Sequence, residues 1–370
     1  MNGLIPRLLA CLCVIPALAA GELWAESPLF SSHSVLEITI PLDFKTLCRP
    51  REVENCDYTP TVLEYLDDAG DARTIPIEVI IRGGWRSLTR NCSAPLLFIR
   101  FDEKDTTGTL FEGQTVLPLT THCGQGFSIE AAKTRTRPST WEQYLLKEYL
   151  AHRLYNLVTE VSLSARLIKI TYPNPDKPSH KIRNYAFFTE HFESVAARNG
   201  YELLDRASFD REKLDLYASD LVALFEFMIG NTDWSIARER NIVLLQSPDG
   251  SQKPLPYDFD MSGLVNAHYA GPAPGLSITE VVDRYYLGFC HADTEWESLS
   301  DRFLSQEAAM LSLVDEIPGL DKKSTKSTRR FLGKFFTILK TPQLQEDEIA
   351  RHCLPWPSAN TEQALPAGRK

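Results

Sequence analysis

Four oxygen-bearing side chains fall close together in this chain and are spaced to meet: Asp233, Asn241, Asp258 and Asp260. Asp233 lies in GNTDW, directly after an apolar run that ends at Ile229. A loop held by a rigid element exposes a carboxylate there, where it can orient or deprotonate a hydroxyl. Asn241 opens the next apolar run and contributes an amide oxygen, a hard ligand suited to magnesium. Asp258 and Asp260, in PYDFDMSG, fall on one side of a strand expected over 255–259, by its two-residue period. Two carboxylates on one face, with no basic residue between them, repel unless a cation or a proton intervenes. A divalent cation held by such groups, beside a carboxylate that handles a hydroxyl, is what phosphoryl transfer needs. The same residues also have a plain structural reading, in which Asp-Phe-Asp caps a turn and GNTDW ends a helix with Asn231 left-handed.

A second group lies upstream, in Arg82-Gly83-Gly84-Trp85-Arg86-Ser87. Glycines let backbone amides approach phosphate, and Arg82 and Arg86 would neutralise it. The run is neither GxGxxG nor a Walker loop, and a Gly-Gly hairpin is also a common structural turn.

The elements that must position these groups are readable from periodicity. Strands are expected near 35–40, 61–64, 75–81, 96–101 and 116–119, where β-branched and apolar residues alternate with polar ones. A hairpin turn is expected at 106–108. Ser139 or Thr140 caps a helix, with Glu142 or Gln143 completing a capping box, and its apolar residues from Leu146 to Val158 repeat at helical spacing. Strands at 164–172 and 184–190 follow. Beyond them come a helix over 213–229, a hairpin over 242–259, and helices at 278–287, 295–313 and 327–339. His268 and Tyr269, after the acidic hairpin, read as loop packing or else as the lining of a substrate surface, and Tyr285, Tyr286 and Phe289 as core. An N-terminal sheet carrying one helix, followed by a helical half with an acidic hairpin, predicts an α+β chain of two lobes with a site in the cleft between them.

GNTDW, then Asn241, then PYDFDMSG resembles the spore-coat CotH-type kinase family, an atypical branch of the protein-kinase-like superfamily. The resemblance covers roughly residues 75–290. It implies a bilobal kinase-like fold with an N-terminal antiparallel sheet and a mainly helical C-terminal lobe. It also implies Asp233 as the catalytic aspartate, Asn241 and Asp258 as magnesium (or manganese) ligands, and Asp260 as a second acidic ligand. ATP is the implied co-substrate. Its phosphates would meet Gly83, Gly84, Ser87, Arg82 and Arg86. The family's phosphate-holding lysine is replaced by Arg100, with Lys104 as the other choice. Glu148, or failing that Glu142, would pair with Arg100. The strand ending at Glu190 would lead to the interlobe hinge, with Glu190 touching the ribose.

The whole chain bounds these readings. A length of 370 residues and an apolar fraction of 43% support one large domain or two modest ones. A net charge of -10 and the lack of a Lys/Arg block make nucleic acid a poor partner. Arg7 followed by an apolar run ending in small residues reads as a signal peptide over 1–20. No other segment is apolar enough to span a membrane, so the chain is expected to be exported, to a periplasm or outside the cell. The expected divisions are a sheet lobe at 30–190, a helical lobe at 191–354 and a disordered tail at 355–370. Six cysteines remain beyond the leader and allow fifteen pairings. Order alone favours Cys48–Cys56, Cys92–Cys123 and Cys290–Cys353. Three functions fit these features. The first is an exported kinase acting on a protein or other hydroxyl acceptor. The second is an inactive pseudokinase serving as an envelope or coat binding module. The third is a metal-dependent hydrolase built on Asp258 and Asp260.

Overall fold

A computed structural model of the chain describes residues 27–50, 55–67, 69–124, 138–292 and 295–356. The expected signal peptide and residues 357–370 of the expected tail lie outside the described residues.

Strands β1 (Leu36–Thr39), β2 (Thr59–Leu66), β3 (Ala72–Ile81), β4 (Leu97–Phe101), β5 (Val116–Thr120), β6 (Ala165–Pro173) and β7 (Lys181–Thr189) form a closed barrel in the order β1-β2-β3-β4-β5-β7-β6. This corrects the expected bilobal kinase-like fold with an open antiparallel sheet. Closure is made by β1, which pairs antiparallel with β2 and parallel with β6, with Leu36 opposite Ile168 and Thr39 opposite Thr171. Period-2 alternation supplies the reason. Ile75, Ile77, Val79 and Ile81 of β3, Leu97 and Ile99 of β4, and Ile168 and Ile170 of β6 all turn into one buried core. A sheet with so continuous an apolar face is best covered by curling on itself, which also removes its exposed edges.

The outer face of β6 and β7 carries the second core. Leu167 and Phe187 point away from the barrel and join a cluster with the helices. The first of these, after a single turn α1 (Glu103–Thr106) that leads into the expected turn between the antiparallel β4 and β5, is α2 (Thr140–Asn156). The expected capping box is present: Ser139 accepts from the Glu142 amide and Glu142 reaches back to the Ser139 amide. Helices α3 (Phe192–Arg198), α4 (Leu216–Ile229), α5 (Trp296–Leu304), α6 (Glu307–Glu316), α7 (Lys322–Leu339) and α8 (Pro342–Glu348) follow. A three-stranded sheet of β8 (Glu202–Leu203), β9 (Ile242–Gln246) and β10 (Gln252–Pro256) stands among them in the order β10-β9-β8.

The expected helix over 278–287 is absent. That segment lies across the end of α4, where Arg284 donates to the Met228 carbonyl at 2.9 Å and the Phe331 carbonyl at 2.7 Å. The three expected cysteine pairs are bonded: Cys48–Cys56, Cys92–Cys123 and Cys290–Cys353. No helix among the described residues is long and apolar enough to cross a membrane. Bonded cysteines are compatible with an exported chain.

Candidate functional site

The acidic hairpin is fixed by two glycines. Helix α4 begins at Asp215, whose side chain accepts from the Ala218 amide, and ends at Gly230 with φ 65°. Gly230, rather than Asn231, is therefore the left-handed residue of this helix end. The Gly263 amide donates to the Gly230 carbonyl at 3.0 Å and the Leu264 amide to the Ile229 carbonyl at 2.9 Å. GNTDW and DFDMSG are thus joined backbone to backbone. The Asn231 side chain then accepts from the Asp233 amide at 3.0 Å and sets the loop that carries Asp233.

Asp258 and Asp260 lie beyond the end of β10, not on one face of it. The Asn241 carbonyl accepts from the Tyr257 amide at 3.0 Å, and Asp258 then turns to φ 63°. Asn241 and Glu239 are also left-handed, at φ 51° and 47°. Non-glycine residues held in this region cost conformational energy and cluster where a side chain must be aimed. Asn241 donates its side-chain N–H to the Asp233 carbonyl at 2.7 Å and to the Asp233 carboxylate at 3.1 Å. Arg240 forms an ion pair with the same carboxylate. Burial raises the Asp233 pKa; Arg240 opposes this, and the nearby Asp258 charge adds to it.

The cation absent from the sequence between Asp258 and Asp260 is supplied by Arg86. Its guanidinium meets Glu148 through two contacts of 3.4 Å, Asp260 at 3.6 Å, and Asp258. Arg86 and Glu148 are buried and Asp258 is about a third open, its side chain 31% exposed. Burial raises the Glu148 and Asp260 pKa values, and Arg86 pulls both back. Burial would lower the Arg86 pKa, but the three carboxylates around it push it well above the ordinary value. Glu148 therefore has the expected role of pairing with a cation, and the cation is Arg86. Arg100 lies elsewhere. It donates to Glu78 at 2.8 Å on the exposed barrel face and covers the Tyr58 ring at 4.0 Å. Lys104 pairs with Asp102, also exposed.

Arg82, Arg86, Glu148 and Asp258 line part of a small cleft with about 50 Å³ of internal space. Phe98, Pro118, Leu163, Phe192 and Tyr257 line the rest of it together with Thr120, Thr189 and His191. Arg82 lies over Phe98 at 5.2 Å and forms no salt bridge among the described residues. Burial lowers its pKa, and the Asp258 charge opposes that. Of the turn residues, Gly84 has φ 95° and needs to be glycine, whereas Gly83 has open space around it. Ser87 is fully buried and donates to the Gly84 carbonyl at 2.8 Å, so its hydroxyl braces the turn. Glu190 reaches the cleft wall but is engaged by Arg198 at 3.1 Å and by the Ser164 amide at 2.7 Å. It is a bracket for the loop before β6 and is not open to a ribose. Asp233 and Asn241 do not line the cleft, and are linked to it through Tyr257 and Asp258.

One residue here, His152, was not singled out from sequence, and another, Tyr269, was placed only in its loop. His152 lines the cleft against Phe259 at 4.8 Å, and burial pushes its pKa down to about 3. The signal was available: His152 follows Glu148 by one helical turn and so shares its face. Tyr269 forms a side-chain hydrogen bond with Asp260, stacks on Trp141 at 5.8 Å and meets Trp85 at a tilt at 5.5 Å. No local pattern marks Tyr269, because its partners come from two distant segments.

Among the described residues no group of three or more His, Cys, Asp and Glu is arranged to hold a metal ion by itself. Magnesium makes no such demand, since it is commonly bound through one or two carboxylates together with phosphate oxygens and water. Asp258 keeps an open edge, and the Asn241 amide nitrogen is committed to Asp233, leaving its oxygen uncommitted. By chemistry these two residues suit magnesium delivered with a polyphosphate, and of the two Asp258 lines the cleft while Asn241 does not. Asp260 does not suit magnesium, because it is buried against Arg86 and Tyr269. Comparison of the chain with known protein families, curated proteins and solved structures returned no match.

Proposed function

We propose that the protein transfers a phosphoryl group from a magnesium-bound nucleoside triphosphate to a hydroxyl acceptor, outside the cytoplasm. The observation that carries this reading is the convergence of Arg86, Glu148 and Asp258 at one cleft, with Asp233 and Asn241 bonded to each other outside its lining and tied to it by the Tyr257–Asn241 backbone bond. Phe98, Phe192 and Tyr257 would contact a base, and Arg82 and Arg86 its phosphates. Asp233, with its pKa raised by burial, would orient the acceptor hydroxyl and take its proton. Asp258 and Asn241 would hold magnesium, which when bound would supply neutralisation of phosphate charge. His152, kept neutral, adds no competing charge. A protein hydroxyl is the favoured acceptor, as the resemblance implies. Export is supported by the bonded cysteines and by the basic and apolar start of the sequence.

A second reading has its own support. Asp233 already faces Arg240, and Asp258 already faces Arg86. A module that binds nucleotide without transferring phosphate needs no free base, and this pairing suits it. The two are separated by measuring ATP binding calorimetrically, with and without magnesium, and transfer of labelled terminal phosphate to protein. Transfer that falls by about 10²–10⁴-fold in Asp233→Asn, with ATP affinity retained, supports the enzyme. Magnesium-dependent binding with no transfer by the native chain supports the module. Lack of magnesium-dependent ATP binding removes both.

A further inference from the structure

The turn that carries Arg86 is held by a closed circuit of contacts reaching around the outside of the cleft. Just beyond the turn, Cys92 is bonded to Cys123, and the Ala94 amide donates to the Cys123 carbonyl at 3.1 Å. The Asn91 side chain donates back to the Trp85 carbonyl at 2.9 Å. Arg49, inside the Cys48–Cys56 loop, donates to the Ser87 carbonyl at 2.9 Å and the Cys92 carbonyl at 3.2 Å. On the other side of the disulfide, Gly124 lies flat against the Trp141 indole. A Cβ added at Gly124 would sit 2.2 Å from that ring. Trp141 stacks on Tyr269, Tyr269 bonds Asp260, and Asp260 faces Arg86 at 3.6 Å. The chain of contacts therefore returns to the residue from which it set out.

We propose that the Cys92–Cys123 disulfide, acting through Gly124 and Trp141, positions Arg86 and Asp260, so that the ion cluster of the cleft assembles only in the oxidised chain. Cys92, Cys123, Gly124 and Trp141 are positioning residues, and none of them lines the cleft. The bond forms by thiol–disulfide exchange with a disulfide donor: both thiols lose a proton, the sulfurs join, and the donor takes two electrons and leaves as a dithiol. Cys92 and Cys123 are 1% and 3% exposed. The bond therefore closes during folding and stays closed. Cys290–Cys353, which ties Cys290 to Leu354 through a 2.7 Å backbone bond, involves none of the circuit and serves as the control. The ligand named in the test rests on the phosphoryl-transfer reading; the circuit itself does not.

Three variants of the full mature chain are compared with the native protein: Cys92→Ser/Cys123→Ser, Gly124→Ala and Cys290→Ser/Cys353→Ser. Magnesium-ATP affinity, near-ultraviolet dichroism of the tryptophans and amide exchange over residues 82–94 are measured on each. The first two variants are expected to lose about 10- to 100-fold in affinity, to change the tryptophan dichroism, and to exchange faster over 82–94. Gly124→Ala keeps the disulfide and so separates positioning from general stability. The control is expected to unfold more easily with unchanged affinity and dichroism. Trp141→Phe should restore most of what Trp141→Ala loses. Native dichroism and native exchange in Gly124→Ala would overturn the proposal, even if the double serine variant fails to fold. If the native chain binds no ATP, the phosphoryl-transfer reading falls, and dichroism and exchange alone decide the positioning claim.

Discussion

Arg86 is the residue on which the cleft depends. One guanidinium serves Glu148, Asp258 and Asp260, and its planar fork is what lets it reach several acceptors at once. Removing it leaves buried carboxylates without a counter-charge, the more costly kind of ion-pair loss. Arg86→Met is expected to lower stability by about 3–5 kcal/mol in urea unfolding at neutral pH. Because the carboxylates can then protonate, part of that loss should return as pH falls below 5. A loss that stays the same at pH 7 and pH 4.5 would contradict this account. Glu226 presents the opposite case. It is fully buried in α4, neither oxygen makes a well-formed hydrogen bond, and Asn231 is the nearest donor. Burial raises its pKa well above the ordinary 4.5, so the folded chain holds a proton there that the unfolded chain releases. Stability from this site is therefore greatest below pH 4.5 and falls as pH rises through the window up to the folded value. Glu226→Gln should flatten that fall; a variant with the native pH slope would show that Glu226 is not its source.

The elements were more legible than their assembly. Alternation of Ile75, Ile77, Val79 and Ile81 marked β3, and Ser139 with Glu142 marked the start of α2, because those signals are local. The same alternation fixes the direction of Arg100. Leu97, Ile99 and Phe101 face the barrel interior, so Arg100 must face out, and the cation for Glu148 had to come from the turn before β4. Barrel closure was not legible, because it depends on β1 pairing with β6 across a separation that no local pattern encodes. Nor was the bond between α2 and the loop after the acidic hairpin. There Lys147 donates to the Val265 carbonyl and lies 5.5 Å from the Tyr144 ring. Burial pulls its pKa from 10.5 down to about 8, against the opposing charge of Asp321. Between those two values the unfolded chain holds more protons than the folded one, so this site makes stability rise with pH from about 8 towards 10.5. Lys147→Met should lose that rise, read as the difference in urea midpoint from the native chain at pH 7.5 and pH 9.5. An identical difference at both values would sink it.

At the scale of the molecule, the two large cores share one wall. Along β6, Leu167 faces the helices while Ile168 and Ile170 face the barrel; along β7, Phe187 faces the helices while Ala186 and Phe188 face the barrel. No loop or hinge separates these cores, only the thickness of a two-stranded ladder running from Ala165–Thr189 to Pro173–Lys181. Loss of either core strips one face from the same strands, and a half-stripped ladder has nothing to hold its register. The sheet half and the helical half, expected as two lobes, should therefore unfold together. Leu167→Ala empties a site in the helical core and Ile168→Ala one in the barrel, each at a cost of about 2–5 kcal/mol. Both are expected to shift a single transition, followed alike by far-ultraviolet dichroism and by tryptophan fluorescence, to lower urea concentration. Two transitions, one moved by Leu167→Ala and the other by Ile168→Ala, would mean that the shared wall does not couple the cores.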